Sequence, residues 1–267
     1  MAKCLIAGLP AAGKSTFIGA LTYLLQYPVE GQLLKYVENP DDMSYLNRLT
    51  YSWLSQQKVD RTTRGFANRI ELNVCKVTGE SNISLSLPDI AGEDFETIIQ
   101  RQSEVIKEWS ESPDSLLLFI NEWPNHTPAD AFGITEPENK AKEPPQFTLN
   151  MMSVEVKNIL LIKELYSLFK FKKIAIGLSS WDLYKQEYTS PIELIKERAC
   201  FLYNFLNHYF PNAYIFGVSA QGGEYKIDDQ FCDEMVKKTE KGERAYIVDE
   251  TGKLSYDLTV PINYLIS

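Results

Sequence analysis

One short stretch near the amino terminus constrains the fold of this chain more than any other. Residues 8–15 read Gly-Leu-Pro-Ala-Ala-Gly-Lys-Ser, after an apolar run at 4–7 and before a helical apolar pattern at 17–21. This is the G-x-x-x-x-G-K-[ST] spacing, set between a buried strand and a helix, in which backbone N–H groups converge on a phosphate chain. The stretch therefore predicts a phosphate-binding loop after the first strand of an α/β sheet.

The residues of this loop have distinct predicted roles. Lys14 is expected to reach the β- and γ-phosphates as a point charge, and Ser15 to offer its hydroxyl to Mg²⁺. Gly8 permits the turn, while Gly13 keeps side chains out of the path of the phosphates. The nucleotide-binding residues predicted from this loop are Gly8, Ala11, Ala12, Gly13, Lys14, Ser15 and Thr16.

Composition and charge exclude several classes of protein. The chain has 267 residues, of which 44% are hydrophobic, and a formal net charge of −9. Its length suits one domain with a full core, and its acidity gives no attraction for nucleic acid, so we expect no nucleic-acid partner. No apolar run reaches the roughly 18 residues of a membrane span. The first residues run directly into a strand, so we expect no membrane segment, no signal peptide and a cytoplasmic location.

The four cysteines predict neither a disulfide framework nor a zinc site. Cys4, Cys75, Cys200 and Cys232 form no C-x-x-C pair and lie among apolar neighbours. We therefore expect reduced, buried thiols.

Strand-like and helix-like segments alternate along the chain. Continuous apolar runs at 115–120, 173–178 and 213–218 predict strands that are covered on both faces. Helices are predicted over residues 14–26, 42–56, 95–109, 148–170, 191–209, 229–241 and 261–266. Such alternation is typical of a mostly parallel sheet with helices on both faces, a three-layer αβα fold.

Two further patterns predict antiparallel pairing. The runs at 68–77 and 83–89 alternate polar with apolar residues and are separated by a turn, which indicates a hairpin at or near a sheet edge. A turn signal at 249–252 predicts a second, shorter hairpin.

The whole chain, residues 1–267, is predicted to form one domain with two insertions. Residues 28–62 mix polar and aromatic segments, and residues 121–147 are rich in proline and acid without a clear period. Both are predicted to be insertions into the αβα fold. Residues 223–267 are predicted to form a C-terminal appendage.

A second phosphate signal follows the predicted hairpin. Its last strand ends at Asp89, and Gly92 stands three residues further on. Asp89 can hold the hydration shell of Mg²⁺, and the Gly92 N–H can bond the γ-phosphate, so the segment can sense whether that phosphate is present. D-x-x-G alone is a common turn sequence, and it gains this meaning from its place one strand after a phosphate-binding loop.

Polar residues at the ends of two consecutive buried strands predict the base. Asp182 closes the stretch Ser-Ser-Trp-Asp after the strand at 173–178, where open α/β sheets bind ligands. Its carboxylate can accept two hydrogen bonds from the N1–H and N2–H₂ edge of guanine, which adenine does not offer. After the next strand, the Ala220 N–H is placed to donate to guanine O6. The pattern predicts a guanine nucleotide, GTP or GDP.

Residues 3–222 resemble the Ras-like GTPases of the translation-factor-related P-loop class. The resemblance implies a Ras-like fold, Mg²⁺ as cofactor and a protein effector or activator as partner. The family motifs fall on Lys14 and Ser15 (phosphate loop), Asp89 and Gly92 (D-x-x-G), Asp182 (N-K-x-D), and Ser219 with Ala220 (S-A-K). Three segments together look like the bacterial double-GTPase-type proteins, thought to act in multi-protein conflict or defence systems. They are the run Asp-Ile-Ala-Gly-Glu-Asp-Phe-Glu, the Ser-Ser-Trp-Asp base motif and the closing Pro-Ile-Asn-Tyr-Leu.

The resemblance also implies a first switch segment before the predicted hairpin. Residues 63–66, Thr-Arg-Gly-Phe, look like the T-x-G-F of small GTPases, whose threonine binds Mg²⁺ in the triphosphate state. Thr63 is the candidate ligand, and Thr62 is the alternative. Arg61 and Arg64 flank it, each either a catalytic arginine in cis or a solvated loop charge.

The chain departs from the family pattern at four positions. Ser179 and Ser180 replace the usual Asn-Lys, so the lysine stem that packs over the base is missing, and Trp181 or another side chain must cover it. Gln221 replaces the lysine of S-A-K, and Ser180 and Gln221 stay nucleotide-binding candidates. Glu93 stands where many relatives carry the glutamine that orients the attacking water. We therefore expect slow hydrolysis, with Glu93, Gly92 and the two flanking arginines as catalytic candidates.

These observations predict a GTP-binding molecular switch with slow, Mg²⁺-dependent hydrolysis of GTP to GDP and phosphate. Its output is expected to be a protein partner in a bacterial multi-protein system. A nucleotide-binding scaffold that has lost hydrolysis is a second interpretation, since it would also explain Glu93 and the altered base motif. An ATP-dependent P-loop enzyme is a third, although it would leave Asp182 and Ala220 without a role.

Overall fold

The apolar run before the phosphate-binding loop forms an interior strand of the sheet. A computed structural model describes residues 2–38, 42–57, 67–79, 82–100, 113–121, 153–223 and 229–267. The strands are β1 (Ala2–Ala7), β2 (Leu34–Glu38), β3 (Ala67–Lys76), β4 (Asn82–Ile90), β5 (Ser115–Ile120), β6 (Lys173–Ser179), β7 (Tyr214–Ser219), β8 (Tyr246–Val248) and β9 (Leu254–Ser255). The helices are α1 (Lys14–Gln26), α2 (Ser44–Leu54), α3 (Gly92–Ile99), α4 (Val154–Phe169), α5 (Pro191–Arg198), α6 (Cys200–Tyr209), α7 (Asp229–Glu240) and α8 (Val260–Ile266), with a 3₁₀ turn at Trp181–Leu183.

The nine described strands form one sheet in the order β2-β3-β4-β1-β5-β6-β7-β8-β9. The five from β4 to β7 in this order are parallel, and antiparallel pairs flank them on both sides. The predicted hairpin is β3 with β4, paired from Ala67 opposite Ile90 to Cys75 opposite Asn82. The predicted α/β class, with a mostly parallel sheet, is confirmed.

Helices cover both faces of this sheet. Alternate residues of a buried strand point to opposite sides. Cys4 and Ile6 of β1 accordingly pack in one cluster with α1, α2 and α8, while Leu5 and Ala7 pack in another with α3, α4, α5 and α6. The two clusters are the two interfaces of the predicted αβα layers.

The edge strand β2 was not expected from the sequence. It lies inside the predicted insertion at 28–62 and pairs antiparallel with β3. Leu34 is buried, and the other four residues of the strand are partly or largely exposed. Two residues of the C-terminal region hold its start, since the Leu33 N–H donates to Asp257 Oδ2 (2.8 Å) and the Leu34 N–H donates to Thr259 Oγ1 (3.1 Å). Tertiary contacts, rather than an alternating pattern, therefore specify this strand.

The helix predicted over 191–209 is two helices. The chain breaks at Ala199, which has φ −146 and ψ 59, and α6 begins at the next residue. A helix start leaves backbone N–H groups without partners. One of them, the Leu202 N–H, donates to the Glu155 carboxylate of α4 (2.8 Å), so a distant side chain stabilises the break.

Other helix bounds differ by a few residues from the predicted ones. α3 begins at Gly92, three residues before its predicted start, and the predicted continuation to 109 lies outside the described residues. α4 begins where Ser153 accepts a hydrogen bond from the Val156 N–H (3.3 Å). None of the described helices is both long enough and apolar enough to cross a membrane.

The four cysteines are free thiols in two kinds of environment. Cys4 and Cys75 are buried, whereas Cys200 is exposed and Cys232 is partly exposed, so the expectation of four buried thiols is wrong. Burial raises the pKa of the Cys4 thiol to about 12, which keeps it protonated at neutral pH.

The C-terminal residues continue the sheet. β8 pairs antiparallel with β7, and Tyr246 stands opposite Ser219 at the end of β7. β9 adds to β8, and α8 packs across β5 and β6. This part of the chain therefore reaches the carboxyl edge of the parallel strands, where the predicted base motif lies.

We predict that Gly19→Ala lowers stability although alanine favours helices. A Cβ on Gly19 would lie 2.8 Å from the Leu49 carbonyl oxygen of α2. This oxygen belongs to the backbone of a helix, so relieving the clash would require a shift of α2 itself. Overpacking of this kind costs about 1–3 kcal/mol, against a gain of about 1 kcal/mol in helix propensity. The free energy of unfolding measured in urea should therefore fall by about 1 kcal/mol.

Gly79→Ala is the matched control for this prediction. A Cβ there would meet Lys76 Cβ at 3.7 Å, an ordinary contact, so its unfolding free energy should stay within about 0.5 kcal/mol of the original. An unchanged or raised stability of Gly19→Ala would contradict the close packing of α1 on α2.

Candidate functional site

The phosphate-binding loop joins β1 to α1, and close contacts fix its shape. Gly13 precedes α1 with φ +86, a left-handed conformation that favours glycine. A Cβ on Gly8 would lie 2.7 Å from the Phe119 carbonyl oxygen of β5. The Ala12 N–H donates to the Leu9 carbonyl (3.2 Å), which closes the turn. The first N–H groups of α1 thus lie at the carboxyl edge of the sheet, where the helix dipole favours an anion.

Lys14 is buried within this loop, with 6% of its surface exposed. Its Nζ donates to the Gly8 carbonyl (2.8 Å) and the Leu9 carbonyl (3.3 Å). It also lies 5.6 Å from the centroid of the Phe95 ring, within the range of a cation–π contact. These contacts hold the ammonium within the loop. The arrangement can attract a phosphate chain.

Two side chains that are not among the predicted site residues hold the phosphate-binding loop in place. Ser179, the last residue of β6, donates its hydroxyl to the Ala12 carbonyl (2.7 Å). Asn121, which directly follows β5, donates Nδ2 to the Ala11 carbonyl (3.2 Å). A polar residue at the end of a buried strand was the available signal, because parallel strands end at the same edge of the sheet.

Gly92 lies directly against the phosphate-binding loop. A Cβ on it would come within 2.4 Å of the Pro10 nitrogen, so the two backbones touch with no room for a side chain. Asp89 is paired in register with Ile6, two residues before the loop begins. The D-x-x-G segment and the phosphate-binding loop are therefore neighbours, as the sequence predicts.

The predicted base motif lies at the same edge. Asp182 sits in the 3₁₀ turn after β6, and Ser219 at the end of β7 donates its hydroxyl to Asp182 Oδ1 (2.7 Å). Ser180 begins the turn with φ +57, a left-handed conformation. One oxygen of the carboxylate is thus held by the neighbouring strand, and this fixes the direction of the group.

Tyr246 of β8 borders the Asp182 carboxylate. Burial, reinforced by the negative charge of Asp182, raises the pKa of the Tyr246 phenol to about 12. The phenol therefore stays neutral at physiological pH, and no second negative charge arises from it beside the carboxylate.

Trp181 does not cover a base. Only 2% of its surface is exposed, and its indole packs on β7, where a Cβ on Gly217 would lie 2.5 Å from indole Cδ2. A ring with so little free surface has no face left for a ligand. The expectation that Trp181 replaces the missing lysine stem is corrected in this respect, and the residue belongs to the core.

The remaining predicted residues divide into two groups. Those that the structure describes as partly exposed are Ser15, Thr16, Glu93, Ala220 and Gln221, and Ala11 is exposed. The switch candidates Arg61, Thr62, Thr63 and Arg64 lie outside the described residues.

The donor chemistry near the loop fits Mg²⁺. Among the residues that the structure describes, no group of three or more His, Cys, Asp or Glu side chains forms a metal site by itself. Mg²⁺ needs no such cage, because it is usually held by one or two protein oxygens together with phosphate oxygens and water. Ser15, in the first turn of α1, and Asp89, beside Ile6, are the oxygen-bearing residues that would hold it.

One protein family and a number of solved structures resemble this chain. A family model described as Double-GTPase 1 matches residues 5–265. No curated protein matches the chain. Among solved structures it is similar to Methanosarcina barkeri Roco2 RocCORdC bound to GDP, with 13% identity, a TM-score of 0.37, and coverage of 95% of this chain and 51% of that one. It is also similar to Sup35 complexed with GDP, with 13% identity, a TM-score of 0.38, and coverage of 87% of this chain and 41% of that one. The chain thus spans about half the length of these proteins, or less.

We predict that Ser179→Ala and Ser219→Ala weaken nucleotide binding in different ways. Ser179 holds the phosphate-binding loop, so its loss should weaken GDP and ADP alike, about fivefold for a hydrogen bond of about 1 kcal/mol. Ser219 holds Asp182, so its loss should weaken GDP and leave ADP unchanged. Titrations with fluorescent nucleotides measure both effects, and the same nucleotide pattern in the two variants would contradict the division of the site.

Proposed function

The chain belongs to the Double-GTPase 1 family and is a GTP-binding protein of the P-loop GTPase class, and we propose that it acts as a molecular switch that hydrolyses GTP slowly. The observation that carries the proposal is the meeting of a base motif and a phosphate motif at one sheet edge. Ser179 links β6 to the phosphate-binding loop, and Asp182 follows three residues later, held by Ser219. One bound nucleotide can satisfy both motifs.

Base recognition is assigned to Asp182 and Ala220. The carboxylate accepts the N1–H and N2–H₂ groups of guanine, and the Ala220 N–H donates to O6. Hydrogen bonds to a charged group contribute about 1.5–3 kcal/mol. Adenine presents an unprotonated N1 and an amino group at these positions, so the same groups oppose it. This supports GTP and GDP as ligands over ATP.

Phosphate recognition is assigned to the loop and Lys14. The N-terminus of α1 and the ammonium together favour the diphosphate. The backbone contact between Gly92 and Pro10 sets the Gly92 N–H beside the loop, which supports a bond to the γ-phosphate and a segment whose position depends on it. Such a dependence is what a switch requires.

Mg²⁺, when bound, would offset the charge of the β- and γ-phosphates during hydrolysis. Ser15 and Asp89 are its proposed ligands, with Thr63, or Thr62 in its place, as the ligand that is specific to the triphosphate state. These residues supply hydroxyl and carboxylate oxygens, the donors that Mg²⁺ prefers.

The rate of hydrolysis is proposed to be limited by Glu93. A glutamine can donate to the γ-phosphate and accept from the attacking water, whereas an ionised glutamate only accepts and adds negative charge. Offsetting that charge needs an arginine, either Arg61 or Arg64 in cis or one from a partner protein. A protein activator or effector is therefore part of the proposal.

Asp182→Asn tests base recognition. An amide loses the charge that binds the guanine edge, so GTP affinity should fall about ten- to hundredfold. The new Nδ2–H can donate to the 2-oxo group of xanthine, so xanthosine triphosphate should bind better to this variant than to the original protein. Fluorescent-nucleotide competition measures both affinities.

Asp233→Asn, an exposed aspartate of α7, is the control for this test and should leave every affinity unchanged. Equal affinity of the original protein for GTP and ATP would refute guanine recognition by Asp182. It would favour an ATP-dependent enzyme that shares the phosphate loop.

Glu93→Gln tests the proposed limit on hydrolysis. Removing the negative charge and supplying a donor should raise the single-turnover rate of Mg²⁺-GTP hydrolysis about tenfold. Glu96→Gln, one turn further along α3, should leave the rate unchanged. Turnover of several per second by the isolated original protein, or no gain in Glu93→Gln, would contradict this assignment. A complete lack of hydrolysis in both would point to a scaffold.

A further inference from the structure

Arg244 is a buried charged residue to which the proposed chemistry gives no role. It lies just before β8, and 2% of its surface is exposed. Burial of a guanidinium is unfavourable unless polar groups or an aromatic face compensate it. The groups that do so here belong to the surroundings of the nucleotide site.

Two stacked side chains hold the loop that follows β7. We call residues 219–222 the base loop. Arg244 Nε donates to the Gln221 carbonyl (3.0 Å), and Nη2 donates to the Trp53 carbonyl of α2 (2.6 Å). The guanidinium lies 4.1 Å from the centroid of the Trp53 ring. Trp53 Nε1 in turn donates to the Ala220 carbonyl (2.7 Å). Consecutive carbonyl groups of the base loop are thus each held by one of the stacked pair.

The ends of the base loop are fixed as well. Ser219 is bound to Asp182 at the start (2.7 Å). Gly222, at the end, has φ +87, and a Cβ on it would lie 2.4 Å from the Arg244 carbonyl oxygen. The loop therefore rests directly on the backbone of Arg244. Between these fixed points lies the Ala220 N–H.

We propose that Arg244 and Trp53 are positioning residues that aim the Ala220 N–H at guanine O6 and so set the affinity for guanine nucleotides. The inference rests on the proposed function, because it requires guanine as the base. The Ala220 N–H belongs to the planar peptide group between Ser219 and Ala220, which can turn only about the bonds at these two Cα atoms. Trp53 holds the peptide group that follows it, and the Ser219 side chain is bound to Asp182. A hydrogen bond weakens steeply when its angle departs from linearity. If the base loop lost its hydrogen bonds to Trp53 and Arg244, the Ala220 N–H would no longer be held in the direction of guanine O6.

Trp53 also relates the base loop to the phosphate-binding loop. It belongs to α2, and its ring lies 5.2 Å from the Tyr23 ring of α1. The same two helices touch at Gly19 and the Leu49 carbonyl, where a Cβ would come within 2.8 Å. Since α1 begins at the phosphate-binding loop, both ends of the nucleotide site are fixed to one pair of helices.

Trp53→Phe and Arg244→Lys test this proposal. Phenylalanine keeps an aromatic ring under Arg244 but lacks the Nε1–H that binds Ala220, and it is smaller than the indole. Lysine keeps the charge but lacks the planar fork that reaches two carbonyls and stacks on a ring. GDP, inosine diphosphate and ADP are titrated against each variant, and thermal unfolding is followed by circular dichroism.

The nucleotides separate the two base contacts. Inosine keeps O6 and N1–H but lacks the 2-amino group, and adenine lacks O6. Both variants should lose about tenfold in affinity for GDP and inosine diphosphate, and less than about twofold for ADP, because the phosphate contacts are intact. Arg244→Lys should also unfold at a lower temperature, since a buried arginine contact is lost.

Leu265→Ala is the control for general destabilisation. Leu265 is a buried residue of α8, a helix that packs across β5 and β6. This variant should unfold at a lower temperature than the original protein and bind all three nucleotides normally while folded. A selective loss of guanine nucleotides in Leu265→Ala would overturn the proposal, as would a loss in Trp53→Phe that ADP shares.

Asp182→Asn in the same titration separates this inference from the proposed function. If it loses the preference for GDP over ADP while folded Trp53→Phe and Arg244→Lys bind like the original protein, the positioning role is refuted and base recognition stands. If it keeps the preference, base recognition itself fails. Should Arg244→Lys not fold, Trp53→Phe decides the matter alone.

Discussion

The buried ammonium of Lys14 is the constraint on which the candidate site depends. A charge with 6% exposure is strongly unfavourable unless polar groups replace its water. The Gly8 and Leu9 carbonyls supply two such groups from within the turn of the loop, at 2.8 and 3.3 Å. Such a turn brings Gly8 against the Phe119 carbonyl of β5. The neighbour of β1 in the sheet and the shape of the phosphate site are therefore set by the same contacts.

Local signals made much of the fold predictable, and distant partners account for most of the rest. The bounds of α1 and the β3–β4 hairpin follow from patterns within a few residues. β2 does not, because its Leu34 N–H is satisfied by Thr259, 225 positions away. The break at Ala199 is equally invisible in the sequence, since the Glu155 carboxylate that accepts from α6 comes from another helix. Propensity alone extends a helix through that point.

The candidate site divides in the same way. Residues that would touch the nucleotide, such as Lys14 and Asp182, could be predicted because their residue type and their position after a strand indicate what they can bind. Those that hold them, Ser179 and Trp53, act on backbone carbonyls far away in the sequence, and any polar side chain can do that. Trp181 is the opposite case, a residue that was expected to contact the base but lies in the core. The expectation arose because an aromatic residue in a base motif suggests stacking on the base. The signal against it was Gly217, a glycine inside the next strand, which often marks a close approach of another group.

The C-terminal residues are best understood through the edge that they cover. Without β8, β7 would present a row of unpaired backbone groups at the border of the parallel strands. Ser219, which holds Asp182, stands at the end of that strand opposite Tyr246. Pairing with β8 thus fixes the strand from which the Asp182 carboxylate is oriented, and it adds a phenol that stays neutral beside that carboxylate. The β8–β9 hairpin covers the edge of β7, and β7 carries the Ser219 hydroxyl that orients Asp182, so loss of the hairpin would affect both the sheet edge and the base site.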